Sequence, residues 1–367
     1  MDFDESEQKL YGLRPGDILM CEGGEIGRCA IWDSDRRCFY QKALHRLRPT
    51  TDKDDPRHFV LVMRAAVEAG LFSSRASAAT IQHLPAEKLR VVRYPAPPIE
   101  EQRAIVDRVS RQTARLDALV AAKQRLIDLL AEKRKAIIAT AVTRGLDPKV
   151  KLRDSGVPWL GKIPAHWSTP PVYARYEVQL GKMLDERQIT KRFLAPYLRN
   201  TDVQWDGINV DDLPEMDFDA SEQKLYALRP GDILMCEGGE IGRCAIWDGD
   251  RRCFYQKALH RLRPTSDKDD SRYFVSVMRA AVDAGLFASR ASAATIQHLP
   301  AEKLRIVRYA APPIEEQRTI VEHIAHETAK LDAVRAATER TIVLLKERRS
   351  ALIAAAVTGQ LDVGAAA

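Results

Sequence analysis

The chain contains itself twice. Met1–Tyr11 reads MDFDESEQKLY, Met216–Tyr226 reads MDFDASEQKLY, and the alignment continues without a gap at a constant offset of 215. Roughly eleven substitutions separate the copies over about the first hundred positions, among them Gly12/Ala227, His58/Tyr273 and Pro95/Ala310. Beyond Ala104/Thr319 the copies diverge but keep register to Leu146-Asp147 and Leu361-Asp362. So long a period excludes a solenoid and means a duplicated domain. Near-identity implies that both copies do the same job.

The copies differ in extent. The second opens earlier, near Leu152, with RDSGVPWLGKIPAHW, and the stretch on to Glu215 has no counterpart in the first. The first module is therefore expected to lack its front portion, through a start codon upstream, a truncated gene, or strands supplied by a partner. Such a module should carry unpaired strand edges and exposed core, which favour aggregation or borrowing from another chain.

Each module has two parts. In the front part, LRPGDILMCEGGEIGRCAIWD predicts strand, Gly-Gly turn, strand. FYQKALHRLRP predicts a further strand, ended by Pro49 or Pro264. RHFVLVMRAAVEAGLF has apolar residues at helical spacing and ends near a glycine. TIQHLPAEKLRVVRY predicts a short connection, a helical turn opened near Pro85, and a strand. The back part begins after Pro97-Pro98 and runs for over 40 residues without Gly or Pro. A heptad stripe passes through Ile105, Val109, Leu116, Leu119, Leu126, Leu130 and Ile137, and in the second copy through Ile320, Ile324, Leu331, Val334, Leu345 and Leu352. Gln112, Lys123, Lys133, Glu327 and Thr341 interrupt it, so a long helix with an imperfect coiled-coil seam is expected. Its partner is either the other long helix, antiparallel across the intervening domain, or a second molecule.

The fold class that follows is α+β: two mixed α/β domains separated by long α-helices. The expected boundaries are 1–96 for the partial first domain, 97–145 for the first helix, 146–311 for the complete second domain, 312–362 for the second helix, and a tail at 363–367.

Chemistry is sparse. No GxxxxGK[ST] phosphate loop and no DPPY- or NPPF-like methyltransferase motif is present. The pairs Gly23-Gly24 and Gly238-Gly239 fit a tight hairpin rather than a dinucleotide site. His45, His83, His260 and His298 have no nucleophile or carboxylate at a recognisable spacing. The cysteines Cys21, Cys29, Cys38, Cys236, Cys244 and Cys253 lack zinc-site spacing and read as small buried hydrophobes with reduced thiols. No metal site and no cofactor is expected in this chain. No apolar run reaches the roughly 18 residues of a spanning helix, and the polar N-terminus does not resemble a signal peptide, so a cytoplasmic location is expected. The net charge of +6 is compatible with nucleic acid without requiring it.

GDILMCEGGEIGRCAI, TIQHLPAEKLR and APPIEEQRAIV with its long helix resemble the target-recognition domains and helical spacers of Type I restriction–modification specificity subunits, and DSGVPWLGKIPAHW at Asp154–Trp167 resembles the usual opening of such a module. The resemblance covers essentially the whole chain. Its most specific element is PPIEEQ, present at Pro97–Gln102 and Pro312–Gln317. It implies a non-catalytic subunit whose two recognition domains lie at opposite ends of an antiparallel helix pair, each reading one half of a split double-stranded DNA target. The implied partners are two methyltransferase subunits and a translocating nuclease subunit, which would use S-adenosylmethionine, ATP and Mg2+.

Recognition requires donors and acceptors on turns. In the second module the candidates are Lys182, Arg187, Gln188, Lys191, Arg192, Arg199, Asn200, Gln204, Arg243, Arg251, Arg252, Gln256, Lys257 and Arg290. Arg reads guanine bidentately, Asn or Gln reads adenine, and Lys or Arg neutralises phosphate. Trp205 and Tyr255 are candidates to pack or to stack. The small, polar segments Ser73–His83 and Ala288–His298 are expected to enter a groove or to cap the following helix. The charged runs at Glu132–Lys135 and Lys346–Arg349 suit either the helix C-terminal dipole or a docked methyltransferase. A helix of roughly 40 residues spans about 60 Å, against about 34–36 Å for a turn of B-DNA. Near-identical readers related by an approximate two-fold axis should read a nearly palindromic, interrupted target. The rival readings are a stand-alone coiled-coil DNA-binding protein, a non-functional truncated allele, and a fused restriction–methylation enzyme; the missing motifs argue against the last.

Overall fold

The structure, a computed structural model, describes residues 4–72, 83–184, 190–287 and 298–361. The elements of the first copy are α1 (Glu5–Tyr11), β1 (Ile18–Cys21), β2 (Cys29–Ile31), β3 (Leu44–Leu47), α2 (Pro56–Glu68), α3 (Ala86–Arg90) and the long helix α4 (Ile99–Arg144). The stretch special to the second copy adds β4 (Leu152–Asp154), β5 (Lys162–Pro164), β6 (Tyr176–Leu180), β7 (Leu194–Leu198), β8 (Val203–Gln204), β9 (Gly207–Ile208) and β10 (Glu215–Asp217). The second copy then repeats the first as α5 (Ala220–Tyr226), β11 (Ile233–Cys236), β12 (Cys244–Ile246), β13 (Phe254–Tyr255), β14 (Leu259–Pro264), α6 (Ser271–Asp283), α7 (Ala301–Arg305) and α8 (Ile314–Val357). The chain forms two compact units. One is Met1–Ile127 with Ala336–Ala367, and the other is Asp128–Arg335.

In the second unit a four-stranded antiparallel sheet has the order β12-β11-β14-β6. Strand β11, ILMC, is buried along its whole length. Helix α6 is N-capped by Asp270, whose side chain accepts from the Arg272 N–H, and it buries Phe274, Val277, Met278 and Ala281, the i, i+3, i+4, i+7 face its sequence predicts. Strand β14 buries two polar residues, and each is hydrogen-bonded through part of its side chain, while His260 Nδ1 and Arg261 Nε have no hydrogen-bond partner among the described residues. His260 Nε2 lies 2.8 Å from the Leu299 carbonyl, and Arg261 donates to the Leu225 carbonyl and to Glu177. Ile138, Ala141 and Val142 of α4 and Ile320, Val321 and Ile324 of α8 join this core. A smaller sheet, β10-β7-β13, stacks Phe218 on Phe254 with ring centroids 4.2 Å apart.

The first unit repeats the plan with three strands, β2-β1-β3. Its core gathers Met20, Val62, Met63, Phe72 and Leu84, with Val357 of α8 added. Leu44–Leu47 are only half-buried, whereas their copies Leu259–Leu262 are fully buried. The difference is β6, which pairs along β14 and has no equivalent beside β3 among the described residues.

The expected strand over VVRY does not form as a ladder. In the second copy this stretch makes isolated bridges, Pro171 to Arg308 and Ser168 to Ala311. The first copy, without residues like Ser168 and Pro171, makes none there among the described residues. The Gly-Gly hairpin is also wider than a two-residue turn, since seven residues (Glu237–Arg243) link β11 to β12. Positive φ falls on Gly239 (74°) and Gly242 (86°), not on the first glycine of the pair. A Cβ on Gly242 would lie 2.6 Å from the Phe287 ring, so that position has no room for a side chain.

Within each unit the long helices pair antiparallel. In the first, Ile105 and Val109 cluster with Ile353 and Ala356, and Asp117 receives Arg349 at 2.9 Å. In the second, Arg134 binds Asp332 at 2.7 Å. The strict heptad is not kept: Leu119 and Val334 are 49% and 46% exposed, while Ile138 and Ile353 are buried instead. A helix of 3.6 residues per turn drifts from a 3.5-residue seam, which accounts for the shift. The charged run at Glu132–Lys135 does not serve the helix dipole, because α4 continues to Arg144 and the dipole acts only within the last turn. Arg134 is held by Asp332, and Lys135 by Asp283 at 3.0 Å.

The lead-in PPIEEQ acquires a physical reason. The Gln317 side chain is completely buried; its amide donates to the carbonyls of Lys268 (3.0 Å) and Pro312 (2.9 Å) and accepts from the Asp270 N–H (2.9 Å). Gln102 repeats this at Lys53 (3.0 Å), Pro97 (2.7 Å) and Asp55 (2.9 Å). One side chain thus ties the first turn of each long helix to the N-cap of α2 or α6.

Candidate nucleic-acid interface

Of the recognition candidates of the second unit, Arg199, Asn200, Arg243, Gln256 and Lys257 fall on three connections: the β7–β8 turn, the β11–β12 loop, and the loop between β13 and β14. Backbone and side-chain bonds join all three. Asn200 Nδ2 donates to the Gly238 carbonyl at 3.4 Å, and Arg243 donates to the Asn200 carbonyl at 3.1 Å. Gln256 N donates to Leu198, Lys257 N to Lys182, and Glu237 N to Ala258. Lys182, Arg199, Asn200, Arg243, Gln256 and Lys257 therefore lie along one connected edge. Gly181 is required by it, since a Cβ there would stand 2.2 Å from the Gln256 carbonyl oxygen. Ala258 holds φ 93° beside Lys257, a conformation unusual for a residue with a Cβ.

Several candidate cations are already engaged within the unit. Lys182 binds Glu222 at 2.6 Å and lies 5.2 Å from the Phe218 ring centroid. Arg199 grips Asp202 through two nitrogens at 2.9 and 2.8 Å. Arg243 pairs with Glu240 at 2.7 Å. Arg252 meets Gln223 and lies over Phe254, and Arg251 donates to the Val210 carbonyl. Gln204 is exposed and donates only to Thr201. Tyr255 is fully buried, so it packs and does not stack on a base. Trp205 is half-buried, with Arg279 5.3 Å from its ring centroid.

Three of the candidate cations present exposed side chains without a hydrogen-bonded or ionic partner among the described residues: Lys191, Arg192 and Lys257. Lys191 and Arg192 lie on a turn built around Asp217, whose carboxylate accepts from the N–H groups of Thr190, Lys191 (2.8 Å) and Phe193 (2.7 Å). Desolvation would raise the Asp217 carboxyl, but those N–H groups outweigh it and hold it below the usual range. The same bonds support Lys191 at φ 60°. Phe193, next in sequence to the two cations, is 50% exposed, and Met183, next to Lys182, is 62% exposed. Sequence reasoning missed this pair; the only signal was apolar residues in the charged run GKMLDERQITKRF without helical or strand period. Arg187, Gln188 and Arg290, with Ser73–Gln82 and Ala288–Gln297, lie outside the described residues.

The first unit has the same β1–β2 loop in a different setting. Arg28, the copy of Arg243, pairs with Glu25 but is 66% exposed, against 12% for Arg243. The wall formed by Asn200 accounts for the difference. No nucleophile stands out: the six cysteines are free, and burial pushes the Cys29 and Cys253 thiols up to about 11. Among the described residues no group of three His, Cys, Asp or Glu is placed to hold a metal ion. No helix is long and apolar enough to cross a membrane.

Residues 4–128 match the family described as the Type I restriction modification DNA specificity domain. Among similar proteins, the Type I restriction enzyme EcoBI specificity subunit of Escherichia coli is 22% identical over 96% of this chain and 75% of its own length. The putative type I restriction enzyme MjaX specificity subunit of Methanocaldococcus jannaschii is 20% identical over 88% of this chain and 74% of its own. Among solved structures, a chain from a study of complex assembly in the type I R-M system superposes with a TM-score of 0.74 at 18% identity, covering 95% of this chain and 83% of that one. The HsdS subunit from Thermoanaerobacter tengcongensis gives 0.53 at 16%, covering 95% and 82%.

Proposed function

Because residues 4–128 match the Type I specificity domain and a near-copy follows at an offset of 215, the chain belongs to the Type I restriction–modification specificity family, and on that premise we propose that it reads a bipartite DNA target. The observation that carries this is the duplication of one loop architecture. Each copy presents the same β-hairpin loop, and each is fastened by its own buried glutamine to a long helix. Two readers of near-identical sequence select the same bases, so the two halves of the target are inverted copies of each other separated by unread DNA.

Phosphate contact falls to Lys191, Arg192 and Lys257, whose charges are not spent internally. Base contact common to both copies falls to Gln256 and the β11–β12 loop, with Gln41 and the β1–β2 loop as counterparts, and Asn200 and Gln204 add to this edge in the second unit. Arg199, Arg243 and Lys182 shape that edge from within. The helix pair serves as the platform for methyltransferase subunits, which bring S-adenosylmethionine, and for a nuclease–translocase that uses ATP and Mg2+. Methylome sequencing of the host tests the target: an interrupted, nearly palindromic methylated sequence is expected, and two unrelated halves would sink the reading. Co-purification with a methyltransferase subunit tests the platform.

A further inference from the structure

The second unit holds a cluster of charges away from the recognition edge. Strands β8 and β9, two residues each, form a hairpin whose turn is Trp205-Asp206. Asp206 Oδ1 meets Arg279 of α6 at 3.0 Å and Arg134 of α4 at 3.7 Å. Arg134 is also held by Asp332 of α8 at 2.7 Å, and the next residue, Lys135, by Asp283 of α6 at 3.0 Å. Trp205 packs against the core of the unit, with the Arg279 guanidinium 5.3 Å from its ring centroid. Through these contacts the tip of one small hairpin is tied directly to α4 and α6, and to α8 by way of Arg134.

The hairpin has little to hold it by itself. An isolated ribbon of two short strands is marginal in water. Neither Trp205 nor Asp206 has positive φ, so the tip is not one of the primed turns whose twist suits a hairpin. The ribbon is therefore placed by what grips its two ends. At the base, the Asp202 carboxylate accepts from two nitrogens of Arg199, and the Asp202 carbonyl accepts from Asn209 N at 2.8 Å. The same turn carries Asn200, whose amide and carbonyl are bonded to Gly238 and Arg243 of the β11–β12 loop. The tip is gripped at Asp206. Its two arginines are 23% and 24% exposed, while Asp206 itself is 74% exposed. Separate nitrogens of the rigid Arg134 fork reach Asp332 and Asp206. The Arg134–Asp332 pair recurs as Arg349–Asp117 at the offset of 215, in helices that otherwise diverge. Arg134 is thus fixed by the helix pair and gives the hairpin a stationary anchor.

We propose that Asp206 is a positioning residue: by holding the β8–β9 hairpin to Arg134 and Arg279, it sets the recognition edge of the second unit against the long helices. This rests on the reading of that edge as the one that contacts DNA. Asp206 needs no contact with DNA itself, because its effect reaches the edge through Asp202 and Asn200. Binding groups have to be held to within about 0.5 Å of their working geometry. An exposed ion pair adds little to stability, so what the clasp supplies is placement.

The test compares the full chain with Asp206→Asn, which keeps the shape and removes the charge, and with Asp206→Glu, which keeps the charge. Binding is read by fluorescence anisotropy on two duplexes, the host's methylated target and the same duplex with both halves scrambled. Asp206→Asn should lower the discrimination between them at least about tenfold, and Asp206→Glu should restore most of it. Unchanged discrimination overturns the proposal. So does tighter binding to both duplexes alike, the result that bare loss of a negative charge would give. Without DNA, hydrogen exchange at the Asn209 and Arg199 N–H groups should quicken in Asp206→Asn, and exchange equal to that of the original chain overturns the clasp. The melting temperature should stay within about 4 °C, and a larger fall would make Asp206 a stabilising contact instead. If the original chain does not tell the two duplexes apart, the DNA reading fails by itself, and exchange at Asn209 and Arg199 still decides whether Asp206 places the hairpin.

Discussion

Replacing Gln317 by Met isolates the joint between helix and recognition module. The two side chains are of similar length and volume, so little cavity is created. What is lost is the bonding: the Asp270 N–H and the carbonyls of Lys268 and Pro312 all lose the partner that a fully buried side chain supplies. An unsatisfied buried polar group costs about 1–3 kcal/mol, and partial re-pairing reduces the sum of three. A loss of about 3–5 kcal/mol is therefore expected for the second unit, and a unit of this size loses about 2–4 °C of Tm per kcal/mol. Calorimetry of the full chain should show a transition lowered by about 6–20 °C. Hydrogen exchange should accelerate at the N-termini of α6 and α8 while the first unit is unchanged. Gln102→Met should produce the mirror result in the first unit. Gln317→Glu keeps an acceptor for Asp270 but no donor, so it should be no milder than Met. A Gln317→Met chain melting within about 1 °C of the original would refute the reasoning, because the cost of three buried unpaired groups cannot vanish.

Acid should destabilise both units before any carboxylate titrates. Burial, the leading cause in each case, holds the His58 and His260 imidazoles below their ordinary 6.5, so the unfolded chain takes up protons that the folded chain refuses. Stability is complete above about 6.5 and declines as pH falls below it toward the folded values; His58→Tyr, the residue of the second copy, should flatten that decline in the first unit, measured by urea midpoints, and an unaltered slope would contradict it. On DNA, Lys191→Ala, Arg192→Ala and Lys257→Ala should each weaken binding about equally for matched and mismatched targets and lower the salt slope by roughly one. Arg199→Ala should instead lower the stability of the second unit by roughly 1–3 kcal/mol by stranding the buried Asp202; a change in salt slope alone would reverse that assignment.

The hairpins, α2 and α6, and the long helices were legible because each follows from a local period. What was not legible depended on partners far away in sequence. VVRY has the composition of a strand, but its neighbours are Ser168 and Pro171, so the same residues bridge in one copy and not in the other. Lys182 and Arg252 look available until Glu222 and Gln223 are brought to them. Turn chemistry marked the right loops for recognition but gave no means of telling a spent cation from an unspent one. PPIEEQ was recognisable as a motif, while its purpose appeared only with the three backbone groups around Gln317. Leu119 and Val334 were assigned to the seam by a seven-residue count that an ordinary α-helix does not keep.

The division of the chain into units has a consequence for biosynthesis. The second unit is continuous from Asp128 to Arg335, but the first is assembled from both ends of the chain. Ile353, Ala356 and Val357 complete its core and are made after the whole of the second unit. A ribosome therefore finishes the second recognition module while the first, translated earlier, still waits for its closing helix. The module that begins earlier in the chain is therefore completed later.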